Sequence, residues 1–484
     1  MGTTSINNTK RFTFLNMDIH PKVHEAYQLM HEGILAFARA EQQGFRVDID
    51  YLERKKAFLT KKIDRLEENL KQTDFYKHWQ HSRKGKVNIG SNQQLAHFLY
   101  KIKKLQSDKT TESGQGSTDE EALKQLNIPE LNDILQIRKL KKIRDTYLDA
   151  FTREQVDGYI HPFFNLHLVR TYRSSSDSPN FQNIPKRDEE SMQIVRQALY
   201  PRPEHQLLEL DFSGLEVRIA ACYHKDATML KYITNPASDM HGDMAKQIFI
   251  IDKFDKNDPY HYTLRQAAKN GFVFPQFYGD YYKNCAINMA CSWGKLSNGK
   301  WKIGEGIPLS SGPFTLADHL ISKGINSLDK FTDHVKKIEQ DFWENRFADY
   351  GLWKDRWWKM YQKYGYISLL TGFTCSGIMS KNDCINYPVQ GAAFHCNLWT
   401  FIQLDKFILE KGLDSKLIGQ IHDSIIIDLN PKELNIITTE AYKIATKDLP
   451  KAWQWINVPL DIDMEICPIN GSWAEKSKFK IEKV

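Results

Sequence analysis

The apolar residues of this 484-residue chain follow a helical period in some segments and a strand period in others. Between residues 24 and 72 they lie three and four positions apart, and Gly44 with the stretch FRVDI divides the pattern. This spacing predicts two helices joined by a short extended segment. Residues 131–151 repeat the helical pattern and 225–380 are mostly helical, whereas the last hundred residues alternate strand-like and helical segments. The chain is therefore expected to mix helices with a sheet.

Two aspartates stand at the ends of predicted strands. Asp211 closes the alternating stretch LLELDF, and Gly214 then opens a helical segment. His422 and Asp423 interrupt two strand-like segments, KLIGQI and SIIIDL, so a hairpin would carry them at its tip. A carboxylate taken out of water costs several kcal/mol unless it is paired, hydrogen-bonded or bound to a metal. The pattern favours either ordinary turn residues or, if the two aspartates meet, a site for divalent cations.

Two predicted helices carry candidate anion-binding residues. Arg265 and Lys269 lie four positions apart, and hence on one helix face, in a stretch without nearby acids. Because two aligned cations repel each other, the pair indicates an anion between them, such as a triphosphate, with a solvated helix face as the alternative. The helix predicted at 131–151 is basic around an apolar stripe, which permits either a solvated face or contact with a DNA backbone.

Composition narrows the class of protein only moderately. Lys and Arg number 66 against 60 Asp and Glu, and the net charge of +6 permits a nucleic-acid partner without requiring one. The seven cysteines form no C-x-x-C pair, which favours reduced thiols in a cytosolic-type compartment over zinc or disulfides. The chain has no apolar stretch of about 18 residues and its start lacks the apolar core of a signal peptide, so no membrane span is expected.

Several sequence blocks, taken together, resemble one family. DFSGLEVR, RQAAK followed by FYG, and HDS occur in the order of motifs A, B and C of the family-A, polymerase-I-like DNA polymerases, which they resemble. NIGSNQQLAHFLY and STDEEALKQL resemble the family's thumb, RSSSDSPNFQNIPKR the segment entering its palm, INYPVQGAA a palm helix, and NGSWAE its terminal block. Each block alone is a weak signal, but their shared order over nearly the whole chain is specific. The sequence FVFPQFYGDYY resembles phage-type members of the family more closely than bacterial repair enzymes.

The resemblance implies a fold and a set of domain boundaries. The implied fold is an α+β right-hand polymerase with an antiparallel-sheet palm, helical fingers and a helical thumb. The implied domains are an N-terminal lead-in at 1–30, the thumb at 31–160, the first part of the palm with motif A at 161–224, the fingers with motif B at 225–380, and the second part of the palm with motif C at 381–484.

The resemblance also implies which residues carry the chemistry. Asp211 and Asp423 would bind two Mg²⁺ ions, with Mn²⁺ as a substitute, which activate the primer 3′-hydroxyl and neutralise the leaving pyrophosphate. Arg265, Lys269 and His241 would bind the triphosphate of the incoming nucleotide. Lys269 would in addition donate a proton to the pyrophosphate.

Further matched positions concern the choice of nucleotide and the grip on DNA. Glu216 matches the steric gate that excludes a ribose 2′-hydroxyl, Phe274 would pack against the incoming sugar, and Tyr278 would stack at the template base. Arg138 and Lys142 match thumb positions that follow the DNA backbone. Four residues match positions that contact the minor groove near the primer end: Arg173, Asn386, Gln390 and His422.

The chain departs from the common family pattern at a few positions. One residue is inserted between Lys269 and Tyr278, and a single π-bulge is the usual way to absorb such an insertion. Counting back from Tyr278 selects Phe274 as the sugar-contacting residue, whereas counting forward from Lys269 would select Val273. Ser424 stands where an acid often follows the His-Asp pair, which removes one auxiliary ligand.

The expected function is template-directed DNA synthesis by two-metal-ion nucleotidyl transfer, in phage genome replication. Proofreading is expected to be absent, because the thumb-like pattern begins near residue 30 and leaves no room for an exonuclease domain. A specialised repair or lesion-bypass polymerase of the same fold and a non-catalytic DNA-binding processivity subunit are the alternatives. Primer–template DNA and deoxynucleoside triphosphates are the expected partners, and a separate exonuclease, helicase or clamp is left open. The expected state is a monomer in the cytoplasm of a phage-infected cell, with an organelle as second choice.

Overall fold

The computed structural model describes residues 23–480, apart from Lys84, 108–109, 112–113, Arg187, Lys256, 294–295, 298–299, Glu305 and 311–312. Most of the predicted lead-in, residues 1–30, lies outside the described residues. The chain divides into two compact units. The sheet unit comprises the described parts of Met1–Ala57, Ile143–Thr234 and Leu352–Val484, and the helical unit comprises those of Phe58–Lys142 and Asn235–Gly351.

Numbered along the chain, the α-helices of the described residues are α1 Val23–Gln43, α2 Ile49–Gln72, α3 Asp74–Ser82, α4 Asn92–Ala96, α5 Glu120–Gln125, α6 Pro129–Lys141, α7 Asp149–Glu154, α8 Glu189–Arg196, α9 Leu215–His224, α10 Ala227–Thr234, α11 Met240–Phe249, α12 Pro259–Ala268, α13 Phe274–Phe277, α14 Tyr282–Trp293, α15 Leu316–Ser322, α16 Leu328–Asp341, α17 Ala348–Tyr364, α18 Lys381–Lys411, α19 Leu434–Lys443 and α20 Leu449–Ala452. Five π-helical segments in the described residues are His97–Ile102, Lys142–Leu148, Lys269–Val273, Phe342–Arg346 and Ile444–Asp448, and two 3₁₀ turns are Pro431–Glu433 and Trp473–Glu475.

The strands of the described residues are β1 Phe45–Val47, β2 Tyr159–Ile160, β3 Phe163–Asn165, β4 Ser175–Asp177, β5 Leu199–Tyr200, β6 Gln206–Phe212, β7 Leu296–Ser297, β8 Lys300–Trp301, β9 Tyr366–Ser368, β10 Thr374–Ser376, β11 Lys416–Ile421, β12 Ser424–Leu429, β13 Ile462–Ile466 and β14 Ser477–Phe479. All paired strands run antiparallel.

The helical patterns near the N-terminus fold as their spacing predicts. α1 and α2 flank β1, and Gly44 between them has a φ of +64°. A Cβ on Gly44 would lie 2.4 Å from the Ile160 carbonyl oxygen, so glycine is required at this turn. The basic segment predicted at 131–151 runs through α6, a π segment and α7, and Ile134, Ile137 and Leu140 are fully buried. The predicted pair of helices with an extended link, the helix end at Gly44 and the apolar stripe of the 131–151 segment are therefore confirmed.

A five-stranded antiparallel sheet organises the sheet unit, in the order β11-β12-β6-β13-β14. α1 packs against β11, and α18 packs against both β11 and β12. The alternating pattern of β6 predicts a half-buried strand, but every residue of β6 except Asp211 is buried. The reason is that Glu209, expected to face water, accepts hydrogen bonds from Lys476 Nζ at 2.6 Å and Trp473 Nε1 at 2.9 Å. A buried carboxylate with such partners avoids the cost of an unpaired charge.

Aromatic side chains form the core of the helical unit. Phe331, Phe342 and Phe347 are fully buried, and the ring centroids of Phe272 and Phe342 are 5.3 Å apart. α11 packs against α12, and α14 against α16. This packing fixes α12 and the π segment that follows it, on which the predicted triphosphate-binding residues lie. None of the described helices combines the length and apolar character needed to span a bilayer.

Candidate active site

A two-residue turn, His422-Asp423, joins β11 to β12, as the sequence predicts. His422 has a φ of +52°, a left-handed backbone that is uncommon outside glycine. Its carbonyl oxygen accepts a hydrogen bond from Gln420 Nε2. Gln420 is fully buried, and its Oε1 accepts hydrogen bonds from Ser174 Oγ at 2.7 Å and from Gln182 Nε2 at 3.0 Å. This buried polar network holds the turn in its conformation.

The turn brings Asp423 beside Asp211, the only partly exposed residue of β6. Ser424, the first residue of β12, is the register partner of Asp211, and its Oγ donates a hydrogen bond to Asp211 Oδ1 at 2.9 Å. The Phe212 amide donates to the Asp423 carbonyl oxygen at 3.2 Å. The two predicted carboxylates therefore lie together, although the spacing of the sequence alone did not require it. Ser424, in the position of the missing acid, acts as a hydrogen-bond donor to one of them.

The charges around this carboxylate pair perturb its protonation. Burial raises the pKa of Asp423 to about 6, and the negative charge of Asp211 adds to the rise, while the cations of Arg173 and Lys186 oppose it. Burial also lowers the pKa of His422, and the same two cations act in the same direction. A carboxylate that is costly to ionise gains free energy from a nearby cation, so the pair is suited to bind one.

Two charged residues at this cluster are not identified by the sequence analysis. Lys186 Nζ lies 3.5 Å from Asp211 Oδ2. Asp463 of β13 is the register partner of Asp211 on its other side, and its Oδ2 accepts a hydrogen bond from Ser213 Oγ at 2.7 Å. The available signal for Lys186 was its place at the end of the block RSSSDSPNFQNIPKR. For Asp463 no local signal exists, because only the strand register brings it near Asp211.

The donor set of the pair suits a hard divalent ion with part of its coordination open. Among the residues that the structure describes, no three or more His, Cys, Asp or Glu side chains converge into a metal-binding group. Asp211 and Asp423 offer carboxylate oxygens, and Mg²⁺ in phosphate-handling sites is bound by one or two carboxylates together with substrate oxygens and water. The residues present therefore fit Mg²⁺, and Mn²⁺ by the same preference for oxygen.

Glu216, the predicted steric gate, lies in the first turn of α9 in the sheet unit. The helix begins after Gly214, whose φ of +60° turns the chain sharply from β6 into α9. Arg173 Nη2 forms an ion pair with Glu216 Oε1. The structure therefore brings together one residue predicted to select the sugar and one predicted to contact the minor groove.

Asn386 and Gln390 lie four residues apart on α18, and hence on one face of that helix. Both side chains are partly exposed. A Cβ on Gly391 would lie 2.3 Å from the Thr171 carbonyl oxygen, so glycine is what lets α18 approach the segment that leads to Arg173. The predicted minor-groove residues of this unit thus lie on α18, on the adjoining 171–173 segment and at the hairpin turn.

The predicted triphosphate-binding residues form a second cluster, within the helical unit. Arg265 lies on α12 and Lys269 begins the π segment, while His241 lies in the first turn of α11. The His241 ring meets Phe274 edge-on with 5.7 Å between ring centroids, and Lys269 Nζ lies 5.1 Å from the centroid of the same ring. Arg265 Nε donates to both carboxylate oxygens of Asp239, at 2.8 and 3.0 Å.

The Asp239–Arg265 ion pair corrects one expectation. Arg265 and Lys269 are predicted from the sequence to have no acid nearby, and their repulsion is the ground for expecting an anion between them; that premise is wrong, because Asp239 pairs with Arg265. Asp239 lies 26 residues before Arg265, outside the helical window in which acids were sought. The usable signal was its position two residues before His241 in the stretch DMHGD.

The pKa values of His241 and Asp239, which lie beside Arg265 and Lys269, are both lowered. Burial lowers the pKa of His241 to about 4, and the charges of Arg265 and Lys269 add to this, so the ring is neutral at neutral pH. His241 Nδ1 is shielded from solvent and has no hydrogen-bond partner among the described residues. For Asp239, burial acts to raise the pKa, but the hydrogen bonds from Arg265 and from the Gly242 backbone, together with the Arg265 charge, outweigh it and the pKa is lowered. The cluster therefore has one ionised acid, two cations and a neutral imidazole.

The one-residue insertion ahead of Tyr278 is absorbed as predicted. Lys269–Val273 forms a π-helical segment between α12 and α13. Val273 is fully buried in the core, whereas Phe274 is partly exposed and touches His241 and Lys269. Of the two ways of counting, the one that selects Phe274 agrees with this placement. Tyr278 ends α13 with 46% of its side chain exposed.

Arg138 and Lys142, predicted to follow a DNA backbone, have different surroundings. Arg138 Nη1 donates to the Thr118 carbonyl oxygen at 3.3 Å, and burial lowers the pKa of its guanidinium. Its Nε and Nη2 are shielded from solvent and have no hydrogen-bond partner among the described residues. Lys142 is exposed at the start of the next π segment. The geometry gives Arg138 a bracing contact to the loop before α5 and leaves Lys142 accessible.

Comparison with known proteins adds independent information. Residues 49–295 match the family model described as DNA polymerase family A. The chain is 25% identical over 494 aligned positions to DNA polymerase I of Chloroflexus aurantiacus (strain ATCC 29366 / DSM 635 / J-10-fl), covering 95% of this chain and 44% of that protein. It is 28% identical over 449 positions to DNA polymerase I of Aquifex aeolicus (strain VF5), covering 90% of this chain and 65% of that protein. The chain thus spans about half to two thirds of the length of these relatives.

A solved structure is similar in fold. The POL domain of Pol1 from M. smegmatis, in complex with DNA primer-template and dNTP, superposes with a TM-score of 0.70 over 92% of this chain and 70% of that one. The sequence identity is 22%, so this likeness concerns the fold. The predicted fold class, a mixture of helices with an antiparallel sheet as in polymerases of this type, is confirmed.

Proposed function

This chain belongs to DNA polymerase family A, and on that premise we propose that it catalyses template-directed DNA synthesis. The primer 3′-oxygen attacks the α-phosphorus of a deoxynucleoside triphosphate, and the phosphodiester bond forms as the bond to the β-phosphate oxygen breaks. The hydroxyl loses its proton and pyrophosphate leaves. Primer–template DNA and deoxynucleoside triphosphates are the proposed substrates.

The observation that carries this proposal is the carboxylate pair formed by Asp211, near the end of β6, and Asp423, in the turn between β11 and β12. We propose that these two residues hold two Mg²⁺ ions, or Mn²⁺, whose chemistry would lower the pKa of the attacking hydroxyl and stabilise the leaving pyrophosphate. Ser424 keeps the Asp211 carboxylate oriented through its 2.9 Å hydrogen bond. The network around Gln420 keeps the turn that carries Asp423 fixed, so neither acid must reorganise when substrate binds.

The triphosphate of the proposed substrate needs positive charge, and the cluster of Arg265 and Lys269 within the helical unit carries such charge. We propose that Arg265 and Lys269 bind the triphosphate, and that Lys269 donates a proton to pyrophosphate as it departs. His241 is neutral, so it contacts phosphate as a hydrogen-bond donor rather than as a cation. Its Nδ1 is shielded from solvent and has no hydrogen-bond partner among the described residues, which supports the proposal that a bound ligand provides that partner.

Selection of the nucleotide and contact with DNA are assigned to the remaining residues. Glu216 is proposed to exclude the ribose 2′-hydroxyl, Phe274 to pack against the sugar and Tyr278 to stack at the template base. Lys142 is proposed to contact a backbone phosphate, with Arg138 at its side. The residues proposed to contact the minor groove at the primer end are Arg173, Asn386, Gln390 and His422. The domain boundaries given above are kept as part of the proposal.

We also propose a phage-type replicative role, because the sequence FVFPQFYGDYY resembles phage-type members of the family. We further propose that this chain does not proofread. Asp48, in the D-x-D stretch nearest to an exonuclease-like pattern, accepts a hydrogen bond from the Tyr51 amide at 2.8 Å, which is the contact of a helix cap. A primer with a mismatched 3′ end, incubated with the chain and Mg²⁺ but without nucleotides, should stay intact. Trimming of that end would contradict this part.

A primer-extension assay with Mg²⁺ and four deoxynucleotides tests the central proposal. Wild type should extend the primer, and Asp423→Asn should lower the rate by about 1,000-fold, because the loss of one metal-binding carboxylate removes several kcal/mol of transition-state stabilisation. Asp50→Asn is the matched control, an exposed carboxylate of the same unit, and should extend like wild type. No extension by wild type would favour the non-catalytic DNA-binding alternative, and undiminished extension by Asp423→Asn would reject the assigned site.

A further inference from the structure

Asp239 is an acid inside a cluster whose other polar members point to an anionic ligand. Its two carboxylate oxygens both accept from Arg265 Nε, at 2.8 and 3.0 Å. The pair is well shielded, with 23% of the Asp239 side chain and 26% of the Arg265 side chain exposed. Shielding from solvent makes this contact stronger than a typical surface ion pair.

The ion pair uses only one edge of the guanidinium. Among the described residues, Nη1 and Nη2 of Arg265 have no hydrogen-bond partner, whereas Nε is held by Asp239. A guanidinium has five N–H donors in a rigid plane, so fixing Nε fixes the direction of the other four. The terminal nitrogens, which form the fork that matches a phosphate, are thereby oriented before any ligand arrives.

The local backbone is shaped to allow this contact. Asp239 directly precedes α11, at the position where an aspartate usually caps the helix. A Cβ on Gly242 would lie 2.6 Å from Asp239 Oδ2, so the glycine leaves room for the carboxylate. The carboxylate is thus held both by Arg265 and by the Gly242 backbone amide in the first turn of α11.

We propose that Asp239 is a positioning residue of the triphosphate subsite, holding Arg265 in the orientation that binds the phosphates. This rests on the proposed function of Arg265. The effect is preorganisation: the rotamer freedom of a long side chain is lost on folding rather than on nucleotide binding. Asp239 also offsets the repulsion between Arg265 and Lys269, which lie on one helix face.

Asp239→Asn tests the proposal, because three roles predict different outcomes. Asparagine keeps the size but loses the charge and the bidentate acceptance, so a positioning role predicts a KM for deoxynucleotide about 10-fold higher, with kcat changed far less. If Asp239 only competed with phosphate for Arg265, removal of its charge would lower the KM, and the proposal would be overturned. If it only stabilised the fold, the melting temperature would fall with KM unchanged, which would overturn it as well.

A double-mutant cycle separates action through Arg265 from any other effect. Lysine has no planar fork to orient, so in an Arg265→Lys background the change Asp239→Asn should leave KM within about 2-fold. Asp243→Asn on the same helix, whose Oδ1 accepts from Lys246 at 3.2 Å, is the control and should leave KM unchanged. An equal 10-fold effect of Asp239→Asn in both backgrounds would reject the proposal.

Nucleotide binding gives a readout that does not depend on turnover. Calorimetric titration of deoxynucleoside triphosphate into the chain, bound to a primer ending in a dideoxynucleotide, should show the same 10-fold weakening for Asp239→Asn. If wild type fails to extend a primer yet binds nucleotide with this Asp239 dependence, the proposed function fails and the positioning role stands. If wild type extends and the Asp239 variant binds normally, only the positioning role fails. Absence of binding by wild type would reject both.

Discussion

Two clusters of charged side chains are held in place by different means. They are the carboxylate cluster of the sheet unit, Asp211 and Asp423, and the cation cluster of the helical unit, Arg265 and Lys269. Asp211 and Asp423 have short side chains, so the strand ladder and the two-residue turn that fix their backbones also fix their oxygens. Arg265 and Lys269 have long side chains whose charged ends lie several bonds from the helix. Their positions depend on other side chains, namely Asp239 for one and the Phe274 ring for the other. In the sheet unit the backbone does most of the positioning, with Ser424 and Gln420 in support, whereas the long basic side chains of the helical unit depend on side-chain partners.

Each cluster also contains a charge of the opposite sign. Lys186 lies 3.5 Å from Asp211 in the first, and Asp239 lies 2.8 Å from Arg265 in the second. The two pairs differ in exposure, with 57% of the Lys186 side chain in solvent against 23% of Asp239. A solvated lysine at 3.5 Å is readily displaced, while the shielded aspartate is a lasting part of its site. The comparison thus separates an exchangeable counterion from a structural one.

The largest effect should follow a change in the carboxylate cluster. Asp211→Asn should reduce the primer-extension rate by about 1,000-fold or more, because it removes a metal-binding charge. Ser424→Ala should reduce it by only about 10-fold, since it removes one hydrogen bond to a carboxylate whose backbone the ladder still holds. Single-turnover extension with saturating nucleotide measures both rates. Equal losses in the two variants would show that the serine, and not the ladder, orients Asp211.

A smaller effect is expected from the cation cluster. Lys269→Ala should lower kcat by about 100-fold, the typical contribution of a positioned general acid, and should also raise the KM for nucleotide. Lys246→Ala, which removes a partly exposed lysine paired with Asp243 in the same unit, should change neither constant by more than about 2-fold. Steady-state kinetics with a defined primer–template give both values. A kcat that stays at the wild-type level in Lys269→Ala would remove the acid role from the proposal.

Several local features of the fold were predictable from the sequence. Gly44 and the His422-Asp423 turn each follow from a pattern within a few residues, and the π segment at 269–273 follows from the one-residue insertion relative to the family pattern. The motif order then identified Asp211 and Asp423 as partners, which no local pattern could do. Short-range signals therefore determined the elements, and the family resemblance supplied their long-range pairing.

The charged partners were not predictable, because each depends on a contact between residues distant in sequence. Lys186 and Asp211 are 25 residues apart, and Arg265 and Asp239 are 26 apart. Glu209 and Lys476, 267 residues apart, bury a carboxylate that the strand period assigns to solvent. In all three cases an ionised side chain is accommodated by an opposite charge that is distant in sequence, and periodicity carries no information about such pairs.

A further test concerns how the helical unit supports its cluster. Gln276 is 1% exposed between Phe274 and Tyr278, and its Nε2 donates to Glu339 Oε1 at 2.6 Å while its Oε1 accepts from Trp343 Nε1 at 2.7 Å. Gln276→Leu should lower the free energy of unfolding by about 2 to 3 kcal/mol, because it removes hydrogen bonds from the part-buried side chains of Glu339 and Trp343. Urea denaturation measures this loss.

The control for that test is Gln247→Leu, which changes an exposed glutamine of the same unit and should alter stability by less than about 0.5 kcal/mol. If Gln276→Leu is as stable as the control, buried side-chain contacts do not support α13. The cluster would then depend on the backbone as the carboxylates do, and the contrast between the two units would be lost.

The smallest expected effect concerns a buried side chain of the sheet unit, His395, which contacts the segment that carries Arg173. The prediction tests whether this side chain helps to position that segment. His395 is fully buried, its Nε2 donates to the Tyr172 carbonyl oxygen at 3.2 Å, and its Nδ1 accepts from Thr371 Oγ1 at 2.6 Å. Burial lowers the pKa of His395 to about 3, so the ring is neutral in the folded chain. The unfolded chain, with an ordinary pKa near 6.5, takes up a proton first as the pH falls.

The stability that His395 contributes is therefore complete above pH 6.5 and is lost progressively between pH 6.5 and 3. Between pH 7 and 5 this one residue should cost about 2 kcal/mol of unfolding free energy. Asparagine does not titrate in this pH range, so in His395→Asn the loss of unfolding free energy between pH 7 and 5 should be smaller by that amount. Urea denaturation at the two pH values measures the difference. An identical pH dependence in wild type and variant would mean that the ring is not held neutral, and that the 171–173 segment is positioned by its backbone alone.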